Sequence, residues 1–213
     1  MKRLHLILLV FSLTILTSFA QVDTKAKGIL DGLSAKIKTY TSMQIDFTQS
    51  MVNTKDKINT SQSGKAILKG DKYNLTLKSQ TVICDGKTVW TYLKDANEVN
   101  IDNVSTDEDA VSPAKIFKIW EKGFKYKFIK EEVQAGVNVQ IIDLTPIKGK
   151  SYFKVRLTID KAKQQLLSSS IYEKNGTTFT YKITKFVPNI ATTDAQFTFN
   201  KANYPKVQVN DMR

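Results

Sequence analysis

Apolar and polar positions change rhythm several times along the chain. From Asp23 to Tyr40, Ala26, Ile29, Leu30, Leu33, Ile37 and Tyr40 recur at three- and four-residue spacing opposite a Lys-rich face, which predicts an amphipathic helix. From Met43 the period becomes two: Ile45 and Phe47 alternate with Gln44, Asp46 and Thr48, as in a half-buried strand. Further strands are predicted over Gly64 to Lys69, Lys72 to Leu77, Gln80 to Cys84, Thr88 to Leu93 and Glu98 to Ile101. Turn signals separate them at Gly70-Asp71, Asp85-Gly86 and Asp95-Ala96-Asn97.

The alternation stops in the polar, acidic stretch 102–112. Pro113 to Gly123 then reads as a short helix, capped by Ser112 and loaded with Ile116, Phe117, Ile119 and Trp120. Strands resume over Lys125 to Lys130, Val137 to Thr145, Tyr152 to Asp160, Gln165 to Glu173, Thr177 to Phe186 and Gln196 to Phe199, with a hairpin turn at Asn175-Gly176. This gives eleven or twelve antiparallel strands in two runs separated by a helical insertion. A sheet of that size curls, so a large curved sheet or barrel is expected, with the two amphipathic helices as cover for its concave face.

The first twenty residues stand apart. Lys2 and Arg3 precede an apolar run from Leu4 to Leu16, and Ser18 and Ala20 supply small residues at −3 and −1 of a cleavage site. The run is short for a membrane span. Residues 1–20 are therefore expected to be a signal peptide removed near Ala20, and 21–213 a single exported domain. Removal of Lys2 and Arg3 leaves 30 basic against 20 acidic side chains, so the formal charge of +12 falls to +10.

Composition then excludes most catalysis. The one histidine is His5, inside the leader, so no imidazole nucleophile, ligand or proton shuttle is expected in the exported chain. The one cysteine, Cys84, excludes a disulfide framework and reads as a small buried apolar residue. No catalytic residue, metal ligand or cofactor site is expected. The basic surplus is compatible with a solvated surface or with attraction to anionic membranes or acidic partners. Without a nucleic-acid-binding motif, and with export expected, nucleic acid is not an expected partner.

A more specific signal lies in the order of short motifs. Phe47-Thr-Gln49 is followed by the Gly-started strand Gly64-Lys-Ala-Ile-Leu-Lys69, then by Asp85-Gly86-Lys-Thr-Val-Trp90-Thr-Tyr92. Ala195-Gln-Phe197-Thr-Phe199 comes near the C-terminus. With a leader and a helix in front, this arrangement resembles the periplasmic lipoprotein carriers of the LolA family. The resemblance implies a mainly β fold with a helical lid (α+β): an incomplete antiparallel β-barrel of about eleven strands enclosing an apolar cavity. It implies a monomeric carrier of acylated lipoproteins in the periplasm, loaded by an inner-membrane ABC-type lipoprotein exporter and delivering to an outer-membrane acceptor or to the outer membrane itself. The related LolB acceptors carry a lipidated N-terminal cysteine, which is not found at the leader junction here. The best-known carriers have an Arg-Pro after the Gly-started strand that helps hold the lid; here the stretch reads Lys69-Gly70-Asp71-Lys72-Tyr73, so that role is not transferred.

The candidate acyl-binding residues are Ile45, Phe47, Tyr73, Leu75, Leu77, Trp90 and Tyr92 on the sheet, with Ile116, Phe117 and Trp120 on the lid. Any one alone reads more readily as ordinary core than as ligand wall; aromatic residues from both sheet and insertion together favour a cavity. A sixteen-carbon chain, at about 0.8 kcal/mol per methylene, presents roughly 12 kcal/mol of exposure to offset. Two other classes stay open: a lipid- or lipoprotein-sensing module of the same fold, and a carboxylate-dependent hydrolase, although no carboxylate pair stands out.

Overall fold

The computed structural model describes residues 23–106 and 112–213; the expected signal peptide lies outside them. Helix α1 (Thr24–Lys38) comes first. Six strands follow: β1 (Met43–Asn53), β2 (Ile58–Lys69), β3 (Lys72–Leu77), β4 (Gln80–Cys84), β5 (Thr88–Leu93) and β6 (Glu98–Asn103). An insertion carries α2 (Pro113–Ile116) and a 3-10 turn (Ile119–Glu121). Strands β7 (Phe124–Gln134), β8 (Val137–Pro146), β9 (Tyr152–Asp160), β10 (Gln165–Glu173) and β11 (Thr178–Pro188) form the second run, and β12 (Gln208–Asp211) comes last.

All twelve strands lie in one sheet ordered β12-β6-β5-β4-β3-β2-β1-β11-β10-β9-β8-β7. Each run is an antiparallel meander, and the two are joined by the β1–β11 pairing. The ends of the order, β12 and β7, do not pair, so the barrel is incomplete. Bulges at Asp46/Phe47, Phe128/Lys130 and Leu166/Ser168 interrupt the registers. Each adds local twist, which curls the sheet around a concave side.

Helix α1 fills one half of that concavity. Its stripe of Ala26, Leu30 and Leu33 is buried among Ile142, Leu144, Val155, Leu157 and Ile159. Asp23 anchors its start: one carboxylate oxygen accepts from the Ala26 N–H (2.9 Å), the other from the Phe128 N–H of β7 (2.7 Å). These two backbone bonds, Ala26 first, hold the Asp23 carboxyl below its ordinary value. Lys36 and Lys38 in the last turn complement the helix dipole.

The structure departs from the sequence pattern in three places. The helix expected over Pro113 to Gly123 breaks at Phe117-Lys118 into α2 and the 3-10 turn. The break lets Ile116 and Phe117 face the sheet while Trp120 reaches α1, where its Nε1 donates to Ser34 Oγ (2.7 Å). A continuous helix would set Ile116 and Trp120 on one face. The strand expected over Gln196 to Phe199 is instead a 3-10 turn (Asp194–Phe197), because Thr193 and Gln196 close a capping box across its start. Finally, β12 pairs with β6 in parallel, where an antiparallel sheet throughout is expected.

A second apolar layer, absent from the sequence pattern, covers the outside of the sheet. Residues 194–211 cross the outer face of β3–β6. Tyr92 packs on Tyr204 (centroids 4.4 Å) and Phe199 (6.3 Å), and Phe199 stacks on Tyr204 at 4.5 Å. Phe197 and Val99 are wholly buried. Asn74 Nδ2 donates to the Gln196 carbonyl (2.8 Å), and Asn97 Nδ2 to that of Pro205 (3.2 Å), tying the strap down.

Two expectations follow. Phe197→Ala should lower unfolding stability by about 3–5 kcal/mol in urea titrations, as for other buried aromatics. Because the folded pKa of Asp23 is depressed, its contribution is complete above the unfolded value and disappears as pH falls through the folded one. Asp23→Asn should therefore flatten the acid limb of the stability curve, measured by thermal melts between neutral pH and pH 2.

Candidate functional site

The other half of the concave face is not filled by α1. There the strand registers align Ile45 with Ala66 and Leu75, and Phe47 with Gly64 and Leu77, across β1, β2 and β3. From the opposite side β11 brings Ile183 against Phe47 and Tyr181 against Gln49. Pro113, Ile116 and Phe117 of the insertion lie over this floor, enclosing a cavity of about 320 Å³. That volume is at the small end of the range for small-molecule sites.

Gly64 shapes the floor. A Cβ there would lie 2.5 Å from Phe47 Cζ and 2.7 Å from Leu77 Cδ2, so the missing side chain is the space those two occupy. The Phe47 ring lies 6.4 Å from that of Tyr181 in a tilted pair.

The cavity is apolar at one end and amide-lined at the other. Gln62 Nε2 donates to Gln49 Oε1 (3.0 Å), and Gln49 Nε2 to the Tyr181 hydroxyl (3.4 Å). Gln80 and Ser169 complete this end. Burial pushes the Tyr181 phenol above its ordinary value, so it stays a neutral donor and acceptor. The sequence pattern alone assigns these residues no role, although the two-residue period that turns Ile45 and Phe47 inward continues to Gln49.

Six of the ten expected site residues meet in this cavity: Ile45, Phe47, Leu75, Leu77, Ile116 and Phe117. Tyr73 faces the same side of the sheet but lines a separate recess beyond α2, with Cys84, Val89, Ala114 and Lys118. Burial, reinforced by the Cys84 thiol, pushes the Tyr73 phenol up to about 12. Burial also raises the Cys84 thiol, in keeping with an inert small side chain. Trp120 is packed against α1 beside Lys38 and Tyr126, outside the cavity.

Trp90 and Tyr92 do not face the cavity at all. Cys84 pairs with Val89, and this register turns Val89 inward and Trp90 and Tyr92 outward, where the C-terminal strap packs on Tyr92. Asp85-Gly86 is the hairpin turn: Asp85 Oδ1 accepts from the Lys87 and Thr88 N–H groups (both 2.8 Å), and Gly86 takes φ +97°.

Two of the contacts that hold the lid are ion pairs. Lys118 reaches Asp71 in the β2–β3 turn at 3.4 Å, and Lys38 of α1 reaches Glu121 at 3.5 Å. Both pairs are solvent-exposed, where ion pairs contribute little. Lys69 and Lys72, in the stretch where the best-known carriers have Arg-Pro, instead pair with Asp194 of the strap (3.6 and 3.0 Å).

Residues 38–200 match the family described as outer membrane lipoprotein carrier protein LolA. The chain belongs to the LolA family. No curated protein matches the sequence. Among solved structures, an uncharacterized conserved protein from Thermus thermophilus superposes with TM-score 0.60 at 14% identity, covering 88% of this chain and 99% of that one. At that identity the likeness shows the fold. A LolA superfamily protein from Nitrosomonas europaea (TM-score 0.45, 12% identity, 82% of this chain, 97% of that one) is also similar. So is the lipoprotein LppX from Mycobacterium tuberculosis (0.48, 14%, 80% and 98%). The LolA assignment therefore rests on the sequence match over 38–200, with the sheet and lid arranged as the family resemblance implied. Among the described residues no helix is long and apolar enough to cross a membrane.

Filling the floor tests this geometry. Gly64→Val should force the Phe47 ring and the Leu77 methyl aside and reduce stability by about 1–3 kcal/mol, as overpacking does. A crystal structure of the variant should show Phe47 in a different rotamer and a smaller cavity.

Proposed function

We propose that this protein is a periplasmic carrier that shields the acyl chains of lipoproteins and transports them from the inner to the outer membrane. The observation that carries the proposal is the cavity beneath Ile116 and Phe117, lined by Ile45, Phe47, Leu75 and Leu77, in a member of the LolA family. Shielding needs no bond to break. It needs apolar surface that an acyl chain can occupy and a cover that can move.

A single acyl chain enters between the floor and the lid, its methylenes on Phe47, Leu75 and Leu77. The ester or amide carbonyls of the lipid anchor lie at the other end, where the Gln49 and Gln62 amides supply donors. A cavity of about 320 Å³ does not hold several chains at once, so loading moves the lid outward. The exposed Lys118–Asp71 and Lys38–Glu121 pairs oppose that movement only weakly. Incomplete coverage of the chains leaves the complex reversible. Loading comes from an inner-membrane ABC-type exporter and delivery is to an outer-membrane acceptor or the membrane itself; the leader is removed near Ala20.

The test is lipid occupancy. Native mass spectrometry of protein from the periplasm should show bound triacylated lipoprotein or lipid and a mature N-terminus at Gln21. Phe47→Glu and Ile116→Glu should each reduce uptake of a triacylated lipopeptide by about tenfold or more, given the apolar burial lost, with little change in circular dichroism. A consistently empty protein that takes up no lipopeptide would overturn the proposal.

A further inference from the structure

Ion pairs gather at one end of the strands, although Lys163 in the β9–β10 turn and Lys87 in the β4–β5 turn at that end join none among the described residues. At this end lie the β2–β3, β7–β8 and β9–β10 turns. There Lys72 pairs with Asp194 (3.0 Å), Lys118 with Asp71 (3.4 Å), Lys130 with Glu132 (2.6 Å) and Lys161 with Glu131 (2.7 Å). At the other end lie the β1–β2, β8–β9 and β10–β11 connections. Their Lys55, Lys57, Lys148 and Lys174 are exposed and take part in no ion pair among the described residues. Two carboxylates lie among them: Asp56, which accepts from Asn53 Nδ2 (2.8 Å), and Glu173, which accepts from Asn175 Nδ2 (3.1 Å).

The three connections form one surface. Lys174 N–H donates to the Ser151 carbonyl (3.0 Å), and Asn53 Nδ2 to Thr177 Oγ1 (3.0 Å). Apolar side chains stand out among the lysines: Ile147 is 61% exposed and Phe153 50%. A bulge between Tyr172/Glu173 and Lys154/Tyr152 produces the second of these. It leaves Tyr152 inward, stacked on Phe124 at 6.4 Å, and turns Phe153 outward beside Tyr172 (6.3 Å). Lys154 Nζ sits 4.0 Å from the Tyr172 ring centre and 5.9 Å from that of Phe153. The bulge thus re-aims an aromatic ring to the surface next to a cation.

We propose that this end of the sheet docks on an anionic phospholipid bilayer. Ile147 and Phe153 insert at headgroup level, and Lys55, Lys57, Lys148 and Lys174 approach the lipid phosphates. The pattern matches interfacial binding, where a small apolar insertion and several cations act together. The surface charge complements anionic lipid, and the apolar tips distinguish it from a merely solvated basic face. Gln49 and Gln62 lie toward this same end of β1 and β2, so a docked molecule turns the amide-lined end of its cavity to the membrane. The docking does not require an occupied cavity.

Vesicle flotation tests the proposal on the protein as the cell processes it. It should float with phosphatidylcholine vesicles containing roughly 30 mol% phosphatidylglycerol, and not with pure phosphatidylcholine. Raising salt from about 0.05 M to about 0.5 M should weaken binding. The Ile147→Ser/Phe153→Ser double variant and the Lys148→Glu/Lys174→Glu double variant should each lower the bound fraction about tenfold. Lys130→Glu/Lys161→Glu, with the same charge change at the opposite end, should bind as the parent does. Absence of flotation, or equal loss in both lysine pairs, would overturn the proposal. So would binding that survives both the apolar and the Lys148/Lys174 changes. Lipopeptide uptake, measured in parallel without vesicles, should be normal in all of these variants; its loss would mark a folding defect and call for the single variant Phe153→Ser, whose normal vesicle binding would also overturn it.

Discussion

Everything about the cavity depends on the pairing of β1 with β11. Ten residues of β1, Met43 to Val52, register against Thr178 to Pro188. Without this ladder the chain would be two separate meanders, each with one apolar face and nothing opposite it. With it, Ile45 and Phe47 meet Ile183 and Tyr181, and the halves curve into one concave surface. The contact joins segments more than a hundred residues apart, so closing that loop carries an entropic cost that the local hairpins do not.

The concave surface is then divided between two tasks. Beneath α1, Leu30, Leu33, Ile142, Val155 and Leu157 are packed to the exclusion of water. This half gives the sheet a stable core that owes nothing to a ligand. Beneath α2 the packing is left incomplete, and among the described residues a four-residue helix with Phe117 after it covers it. Stability and occupancy are thereby separated. A protein that used one apolar surface for both would lose core packing whenever that surface emptied. Trp120 marks the boundary, anchoring the insertion to α1 while Ile116 and Phe117 project over the open half.

The alternation of side chains is legible wherever strands are regular, and the motif order carries the family assignment. Which face of each strand is concave is not legible, because period two is symmetrical between faces. Leu75 and Leu77 lie inside and Trp90 and Tyr92 outside, although all four follow the same rhythm. Only the register of β4 against β5 separates them. An aromatic residue on the outer face would be a cost unless something covered it, and the covering segment is hidden because its own short elements lack periodicity. Phe197 alternates with Phe199 like a strand pair, yet Gln196 spends its side chain on a cap and bends the chain into a 3-10 turn. The insertion reads as one helix for a similar reason: its four apolar residues serve two surfaces, and no single helical face does that. Gln49 and Gln62 are inconspicuous because polar residues on the inward phase of a strand look like interruptions of a core rather than part of a site.

The strap over β3–β6 has a consequence for the history of each molecule. It follows the lid and the floor in the sequence, and it supplies the rings that cover Tyr92. A chain cut short before Phe197 would retain a complete lid and floor yet carry an open aromatic patch on its back. The strap thus hides that patch only in molecules whose synthesis has run past it.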